Sequence, residues 1–409
     1  MQSHQFDLSS QNYKRNPYPT LATMVEQGPL VRVRFPFIGK LWMATTYEAV
    51  GELLRERQTF VREPRSAGLT RRATLPWWLP RSMQTMAESM INRDEPDHRR
   101  LRGLVEHAFL RRSIDELRPR FEAIVNQMLD ELEAKFRHDG QPVDLVAGLA
   151  RPFPLAVICE LLGLPREDWP TFVRYAESFP ENLSLFGIFR LLNGIKGINT
   201  YIREQIRRYR AAPREGLISE LIAARQEGEQ LTEDEMVAMI VLLLLAGHLT
   251  TVHLIGGGIY TLLEHPDQKQ SLYSDWSRVE STVDELLRYL SPVQMTKPMT
   301  PARDLEWHGQ PLKRGDKIVA LLAAANVDPN KFDHPDRFDM HRSPNPHVAF
   351  GAGIHICLGL KLAKAETEIA LEQLLTRFPD LRLAIPPSQA KWSRRPGTRG
   401  MEELPVRLW

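Results

Sequence analysis

Residues 350–359 read F-G-A-G-I-H-I-C-L-G, a glycine-rich segment that contains Cys357. Glycines at positions 351 and 353 favour tight turns with left-handed backbone just before the cysteine. Apolar residues recur at helical spacing after Gly359, at Leu362, Ala363, Ile369, Ala370, Leu374 and Phe378. Cys357 is therefore predicted to lie in a loop at a helix N-terminus. Backbone N–H groups and the helix dipole there lower the pKa of a thiol and favour a metal-binding thiolate.

A lone cysteine is usually a buried core residue without chemistry. Here the complete pattern F-G-x-G-x-H-x-C-x-G is present, and it resembles the haem-binding loop of the cytochrome P450 family. The resemblance implies that Cys357 is the iron ligand of haem b and that His355 bonds a propionate. It also implies that Phe350, Gly351 and Gly359 shape the loop around the cofactor. A thiolate ligand of haem iron favours O–O bond cleavage on the opposite face.

The resemblance covers nearly the whole chain, by motif from His98 to Gly400 and beyond that by the order of elements. It implies the cytochrome P450 fold, mostly α-helical with small β-sheets. Residues 1–409 would form a single large haem-centred domain with no fused reductase or ferredoxin domain. Local patterns agree with a mixed fold, because residues 30–35 alternate like a half-buried strand, residues 41–45 form a candidate partner, and residues 48–57 have a helical pattern.

The composition excludes several classes of function. The 409 residues carry 53 basic and 51 acidic side chains, a formal charge of +2 that does not indicate a nucleic-acid partner. Two cysteines are too few for a disulfide framework and are consistent with a reducing cytosol. The N-terminus has no basic region followed by an apolar run, and the run at residues 239–247 is shorter than the about 20 residues that span a bilayer. We therefore expect a soluble, cytoplasmic protein with no membrane anchor.

A second candidate segment, residues 94–102, reads D-E-P-D-H-R-R-L-R. Pro96 suits the first turn of a helix, and the i, i+4 spacing of His98 and Arg102 places both on one helix face. A paired His and Arg can grip a carboxylate, although such a run alone is more often a solvated basic face. The segment resembles the family's E-P-x-H-x-x-x-R motif, which implies that His98 and Arg102 bind haem propionates.

Two further expectations concern charge around the haem. Many members of the family carry an arginine at the position of Met299 that binds a propionate. Lys297, two residues earlier and on the same side of a strand, is the candidate replacement. The other arginines near the basic segment are expected to face outward, where a positive patch can steer an acidic electron donor. They are Arg99, Arg100, Arg111 and Arg112.

The capping box at residues 232–235 predicts the start of a long helix that runs to about Glu264. Midway along it, residues 246–251 read A-G-H-L-T-T. Packing alone would explain the small residues, but the turn resembles the family's oxygen-binding helix, with Thr250 as the motif threonine. The residues implied in cofactor binding or catalysis are Ala246, Gly247, His248, Thr250 and Thr251. Leu249 departs from the family, which usually has an acid here, and this puts the ordinary proton-delivery route in question.

Glu285 and Arg288 form an i, i+3 pair on a predicted helix over residues 277–290. Such pairs are common on surfaces and are worth about 0.3–0.5 kcal/mol. This pair resembles the family's E-x-x-R motif, which implies a structural role beneath the haem with Arg337 as the third member.

Two apolar segments, residues 83–90 with a methionine stripe and residues 179–197, resemble the parts that cover the substrate, although core packing is the alternative.

The favoured hypothesis is a haem-thiolate monooxygenase that hydroxylates or epoxidises an apolar or semi-polar small molecule, such as a polyketide, terpene or fatty-acid-like compound. It would use O2 and electrons from separate partners, a ferredoxin and a ferredoxin reductase. A second hypothesis keeps the fold but uses peroxide or catalyses a different reaction, because Leu249 replaces an acid. A third is a non-catalytic haem carrier or sensor. The sequence does not identify the substrate.

Overall fold

The computed structural model describes residues 6–35, 39–69, 89–110, 114–176, 185–225 and 228–409. Contacts between Cα atoms group the chain into two compact units. The first unit comprises Met1–Val61, Arg118–Pro152 and Thr250–Trp409, and the second comprises Arg62–Leu117 and Phe153–Leu249. The extent of a single domain over residues 1–409 stays a prediction. The methionine stripe before Met90, Arg111, Arg112 and residues 179–184 lie outside the described residues.

Helices dominate the described residues, as expected, and the strands are short. The helices are α1 Gln11–Arg15, α2 Tyr18–Glu26, α3 Tyr47–Arg55, α4 Asp97–Leu110, α5 Ile114–Asp139, α6 Pro152–Leu162, α7 Trp169–Ala176, α8 Leu185–Ala211, α9 Leu217–Ala223, α10 Glu233–Glu264, α11 Pro266–Ser274, α12 Val279–Leu290, α13 Leu322–Ala325 and α14 Leu360–Arg377. The strands are β1 Leu30–Phe35, β2 Gly39–Ala44, β3 Phe60–Val61, β4 Val143–Asp144, β5 Thr300–Pro301, β6 Leu305–Trp307, β7 Gln310–Leu312, β8 Ile318–Ala320, β9 Arg382–Leu383 and β10 Pro405–Arg407.

The largest sheets have three strands each, in the orders β1-β2-β8 and β4-β10-β9. In the first sheet β2 pairs antiparallel with β1 and parallel with β8. Alternate residues of β2 enter two different hydrophobic clusters, Trp42 and Ala44 on one face and Leu41 and Met43 on the other. The half-buried strand over residues 30–35 is confirmed, since Val31 and Val33 are buried while Arg32 and Arg34 are exposed.

The long helix α10 begins and ends as its sequence predicts. The Thr232 hydroxyl accepts from the Glu235 N–H at 3.2 Å, and the Glu235 carboxylate accepts from the Thr232 N–H at 2.8 Å, so both halves of the capping box form. The helix then spans 32 residues. By length and composition it could cross a membrane, with a mean hydropathy of 2.1 in its most apolar window, but 56% of that window is buried inside the protein. A core helix has the same properties.

Glu285 and Arg288 form a fully buried pair, both 0% exposed, with the Arg288 Nη2 2.7 Å from the Glu285 carboxylate. Arg288 also donates to the carbonyl oxygens of Asn326 at 3.0 Å and Arg337 at 2.8 Å. The third charged member is Arg342, whose Nε lies 3.2 Å from Glu285. The expected role of the Arg337 side chain is therefore wrong, because that side chain is exposed and the residue contributes only its carbonyl.

This buried network holds the segment that leads to the cysteine loop. The Asn326 side chain donates to the Ser291 hydroxyl at 3.0 Å and accepts from the Val348 N–H at 2.8 Å. Asn326 is 0% exposed. The Asn326 carbonyl also accepts from Arg288. The Glu285–Arg288 pair on α12 is therefore linked through Asn326 to Val348, two residues before the loop.

We expect Glu285→Ala to lower the free energy of unfolding by about 3–5 kcal/mol, because it leaves the buried Arg288 guanidinium without its carboxylate. Urea unfolding followed by far-UV circular dichroism measures the change. Arg207→Ala is the matched control, since Arg207 and Glu204 are also spaced i, i+3 and lie 2.7 Å apart but are 65% and 42% exposed. The control should change stability by less than about 1 kcal/mol. Equal stability of the two variants would contradict a structural role for the pair.

Candidate active site

The loop around Cys357 is a compact turn with its own backbone hydrogen bonds. The Gly351 N–H donates to Val348 O at 2.8 Å, and the Cys357 N–H donates to Phe350 O at 3.0 Å. A single 3-10 turn, Gly353–His355, lies between them. These bonds leave the Cys357 side chain exposed. The loop thus presents one accessible thiol at a fixed position.

Two glycines are required by the shape of this loop. Gly351 has φ +73° and Gly353 has φ +70°, both in the left-handed region. A Cβ on Gly353 would also lie 2.1 Å from the carbonyl oxygen of Leu54, near the end of α3. Glycine is therefore required at position 353 for two reasons, the left-handed backbone and the close approach to the Leu54 carbonyl.

The start of α14 stabilises negative charge on Cys357. Gly359 is the N-cap residue and makes no side-chain capping bond, so no side-chain oxygen at this position binds the N–H groups of the first turn. These groups and the positive end of the helix dipole favour a thiolate two residues before the cap. Cys159 is the opposite case, because it is 0% exposed and burial, followed by the charge of Glu160, raises its pKa.

The middle turn of α10 is exposed although most of the helix is buried. Ala246 is exposed, residues 247–250 are half-buried, and Thr251 is 3% exposed. A Cβ on Gly247 would make only an ordinary 3.6 Å contact with Ile158. The packing of the described residues therefore does not require the small side chains of this turn. An open surface in the middle of a core helix is suited to a flat ligand and a substrate.

His98 and Arg102 lie one turn apart on α4, as predicted. His98 is 2% exposed, and burial, reinforced by the charges of Arg102 and Arg62, lowers its pKa. The Arg102 Nε donates to Glu106 at 2.6 Å, which occupies one of the five donor positions of the guanidinium. A bound carboxylate would raise the pKa of His98, because it would offset the two positive charges.

Lys297 and Met299 differ in their surroundings. Met299 is 6% exposed within a hydrophobic cluster, and its N–H donates to Ile318 O at 2.7 Å. Lys297 is exposed. The apolar side chain at position 299 is thus part of the core, and Lys297 remains the proposed cation of this segment.

Two of the four arginines that were expected to form a positive patch pair with acidic side chains. Arg99 pairs with Glu95 at 2.8 Å, and Arg100 contacts Glu235 and lies 3.3 Å from Glu229. The positive charges of both arginines are therefore partly offset, and the acids that face Arg100 are distant in sequence and had no local signal.

The structure groups the site residues within each unit. The first unit contains Thr250, Thr251, Lys297 and the cysteine loop, and the second contains His98, Arg102, Ala246, Gly247 and His248.

Sequence reasoning missed Asn326 and Arg342, whose contacts with Arg288 and Glu285 join segments 38 and 57 residues apart. No local spacing signal could have identified them.

The donor set is consistent with haem. Within the described residues, no group of three or more His, Cys, Asp or Glu side chains could hold a metal ion. Haem iron carries its other ligands with it, so a single thiolate from the protein is a sufficient anchor for it. Within the first unit, Cys357 would supply the thiolate.

Comparison with known proteins agrees with this interpretation. The cytochrome P450 family model matches residues 171–397. The polyketide biosynthesis cytochrome P450 PksS of Bacillus subtilis is 34% identical over 412 residues, which cover 100% of both chains. Its solved structure has a TM-score of 0.89 and covers 98% of this chain and 99% of that one.

Two other relatives differ in the compounds that their names or titles mention. The mycinamicin IV hydroxylase/epoxidase of Micromonospora griseorubida is 36% identical, covering 94% of this chain and 93% of the relative. P450BioI, solved with an acyl carrier protein ligated to hexadec-9Z-enoic acid, has a TM-score of 0.85 and 32% identity, covering 97% and 98% of the two chains. The chain belongs to the cytochrome P450 family and is a monooxygenase that carries haem b.

Proposed function

We propose that this enzyme hydroxylates or epoxidises an apolar or semi-polar small molecule of the polyketide, terpene or fatty-acid-like class. The observation that carries the proposal is the exposed middle turn of α10, where Leu249 and the small residues 246 and 247 present an apolar surface beside Thr250. An apolar wall favours substrates that gain by leaving water. The names of PksS and of the mycinamicin enzyme support a polyketide-type substrate.

Haem b, when bound, supplies oxygen activation, and the side chains of this chain control charge and protons around it. Cys357 donates a thiolate whose charge is stabilised by the first turn of α14. Thr250 offers a hydroxyl that can donate one hydrogen bond but does not titrate near neutral pH. Leu249 can neither titrate nor donate, so protons have to reach Thr250 by another route. The imidazole of His248 can carry a proton, but successive helix residues point about 100° apart, so the side chains of His248 and Leu249 leave the helix in different directions.

We further propose that the enzyme acts in the cytoplasm with electrons from a ferredoxin and a ferredoxin reductase. The family to which the chain belongs supports separate electron donors of this type. A second candidate function, peroxide-driven turnover or a reaction other than monooxygenation, is favoured by one observation, the apolar Leu249. A non-catalytic haem carrier is disfavoured because the relatives are named as oxidising enzymes.

Cys357→Ser should abolish the strongly red-shifted Soret band of the reduced carbon monoxide complex, because that band requires a thiolate ligand. Cys159→Ser should retain it, since burial keeps Cys159 protonated and inaccessible. The difference spectrum of the reduced carbon monoxide complex minus the reduced protein measures the band in both variants. Retention of the band in Cys357→Ser and its loss in Cys159→Ser would reverse the assignment.

Arg102→Ala should accelerate haem transfer to an apo-globin acceptor about 10- to 100-fold, because it removes a charge-assisted bond to a propionate. Glu106→Gln is the control, since it removes the carboxylate that binds the Arg102 Nε without removing the guanidinium. If Arg102 only paired along its helix, the two variants would lose haem at the same rate.

Leu249→Asp should raise the product formed per NAD(P)H oxidised, because a carboxylate at this position can resupply protons to Thr250. Asparagine has nearly the same shape as aspartate but does not titrate, so Leu249→Asn should gain little product per NAD(P)H oxidised. Peroxide-driven turnover should also gain less, since peroxide brings its own protons. High coupling of the native enzyme on a substrate with no hydroxyl group, or equal gains in the two variants, would indicate a proton path that bypasses position 249.

A further inference from the structure

One carboxylate on α12 contacts the chain on both sides of the cysteine loop. The first flank of the loop is residues 345–349, and the second flank is the start of α14, residues 360–364. Oδ1 of Asp284 lies 3.4 Å from Nε2 of His347 in the first flank. Nζ of Lys364 in the second flank lies 3.0 Å from Oδ1 and 3.1 Å from Oδ2 of the same carboxylate. Asp284 therefore joins the two flanks.

His347 extends this contact to the backbone of the first flank. Its Nδ1 accepts from the Ala349 N–H at 3.3 Å. Since a neutral imidazole has one donor and one acceptor nitrogen, its Nε2 carries the proton and donates toward Asp284. The His347 side chain is 9% exposed, and its ring centre lies 6.1 Å from that of Phe350, the first residue of the loop. The imidazole thus links Asp284 to the backbone just before the loop.

Lys364 contacts two acidic side chains that differ in exposure. Its Nζ also lies 3.1 Å from Glu280, whose side chain is 72% exposed, whereas that of Asp284 is 31% exposed. Exposed pairs contribute little, because water screens the charges. Burial raises the pKa of Asp284, but the hydrogen bonds from His347 and Lys364 outweigh it and leave this pKa below its usual value. Asp284 is therefore the ionised, less exposed partner of Lys364.

Contacts on both flanks restrict the loop more than contacts on one. Bringing the ends of a loop together costs conformational entropy, so a contact that fixes both ends also limits where the middle can move. The Glu285 network reaches the first flank, through Asn326 and Val348. Asp284 adds a link from that flank to the second one. Because α12 and α14 also pack against each other, the carboxylate lies between elements that are already close.

We propose that Asp284 is a positioning residue for the haem thiolate. Through His347 and Lys364 it holds both flanks of the loop, so that Cys357 stays in place to bind iron. The inference rests on the proposed assignment of Cys357 as the iron ligand. Loss of the Asp284 charge favours departure of the thiolate from iron, while the buried network on the same helix keeps the chain folded.

The test uses the strongly red-shifted Soret band of the reduced carbon monoxide complex. Its loss is followed in urea, at a concentration that leaves the far-UV circular dichroism unchanged. Asp284→Asn should lose the band about 5-fold faster than the native enzyme, because it removes a charge that binds two partners. Glu280→Gln is the matched control, since it removes the exposed carboxylate from Lys364, and it should change the rate less than about 2-fold. Lys364→Arg should keep the native rate, because a guanidinium also binds both oxygens of a carboxylate.

A double-mutant cycle separates this role from general stability. His347→Asn keeps an acceptor for the Ala349 N–H but does not reach Asp284, and Lys364→Met removes the ammonium. Each should speed the loss of the band about 2-fold or more in the native background. In the Asp284→Asn background each should change the rate less than about 1.5-fold, because both contacts end at the same carboxylate.

Three results would overturn the proposal. They are equal rates for Asp284→Asn and Glu280→Gln, additive effects of the two flank variants, and a fall in the global unfolding midpoint of Asp284→Asn that accounts for its faster loss of the band. A native enzyme that lacks the red-shifted band before urea is added would instead overturn the assignment of Cys357, and this inference with it.

Discussion

The enzyme depends on keeping one sulfur negatively charged while leaving it accessible. These demands oppose each other, because burial that excludes water also raises the pKa of a thiol, as it does for Cys159. The chain meets both by placing Cys357 in a loop immediately before α14, where the N–H groups of the first turn and the helix dipole favour the thiolate. The position of that loop is then what the rest of the fold has to maintain.

Two contacts of different kinds hold the loop. On one side Gly353 lies so close to the carbonyl of Leu54 that a side chain cannot be accommodated. On the other side the buried pair of Glu285 and Arg288 reaches Val348 through Asn326. Removing either member of a buried ion pair costs far more than losing a surface pair. The loop is thus fixed by a steric contact and a charged network that are independent of each other.

Local patterns were sufficient for much of this account. The glycines and helical spacing around Cys357 predicted a loop at a helix start, and the capping box at Thr232 predicted the start of α10. Partners that are distant in sequence were not predictable. Arg342 replaced Arg337 as the third charged member because the irregular segment between α13 and the loop has no period that fixes which side chain points inward. For the same reason the acids that face Arg100 were missed.

The central claim is that Cys357, as a thiolate, is the protein ligand of haem iron. Iron K-edge X-ray absorption of the ferric holoenzyme tests it most directly, because sulfur and the lighter donor atoms scatter differently. The account predicts one sulfur neighbour of iron in the native enzyme and in Cys159→Ser, and none in Cys357→Ser. An iron shell made only of nitrogen and oxygen in the native enzyme, or a sulfur neighbour that persists in Cys357→Ser, would contradict it.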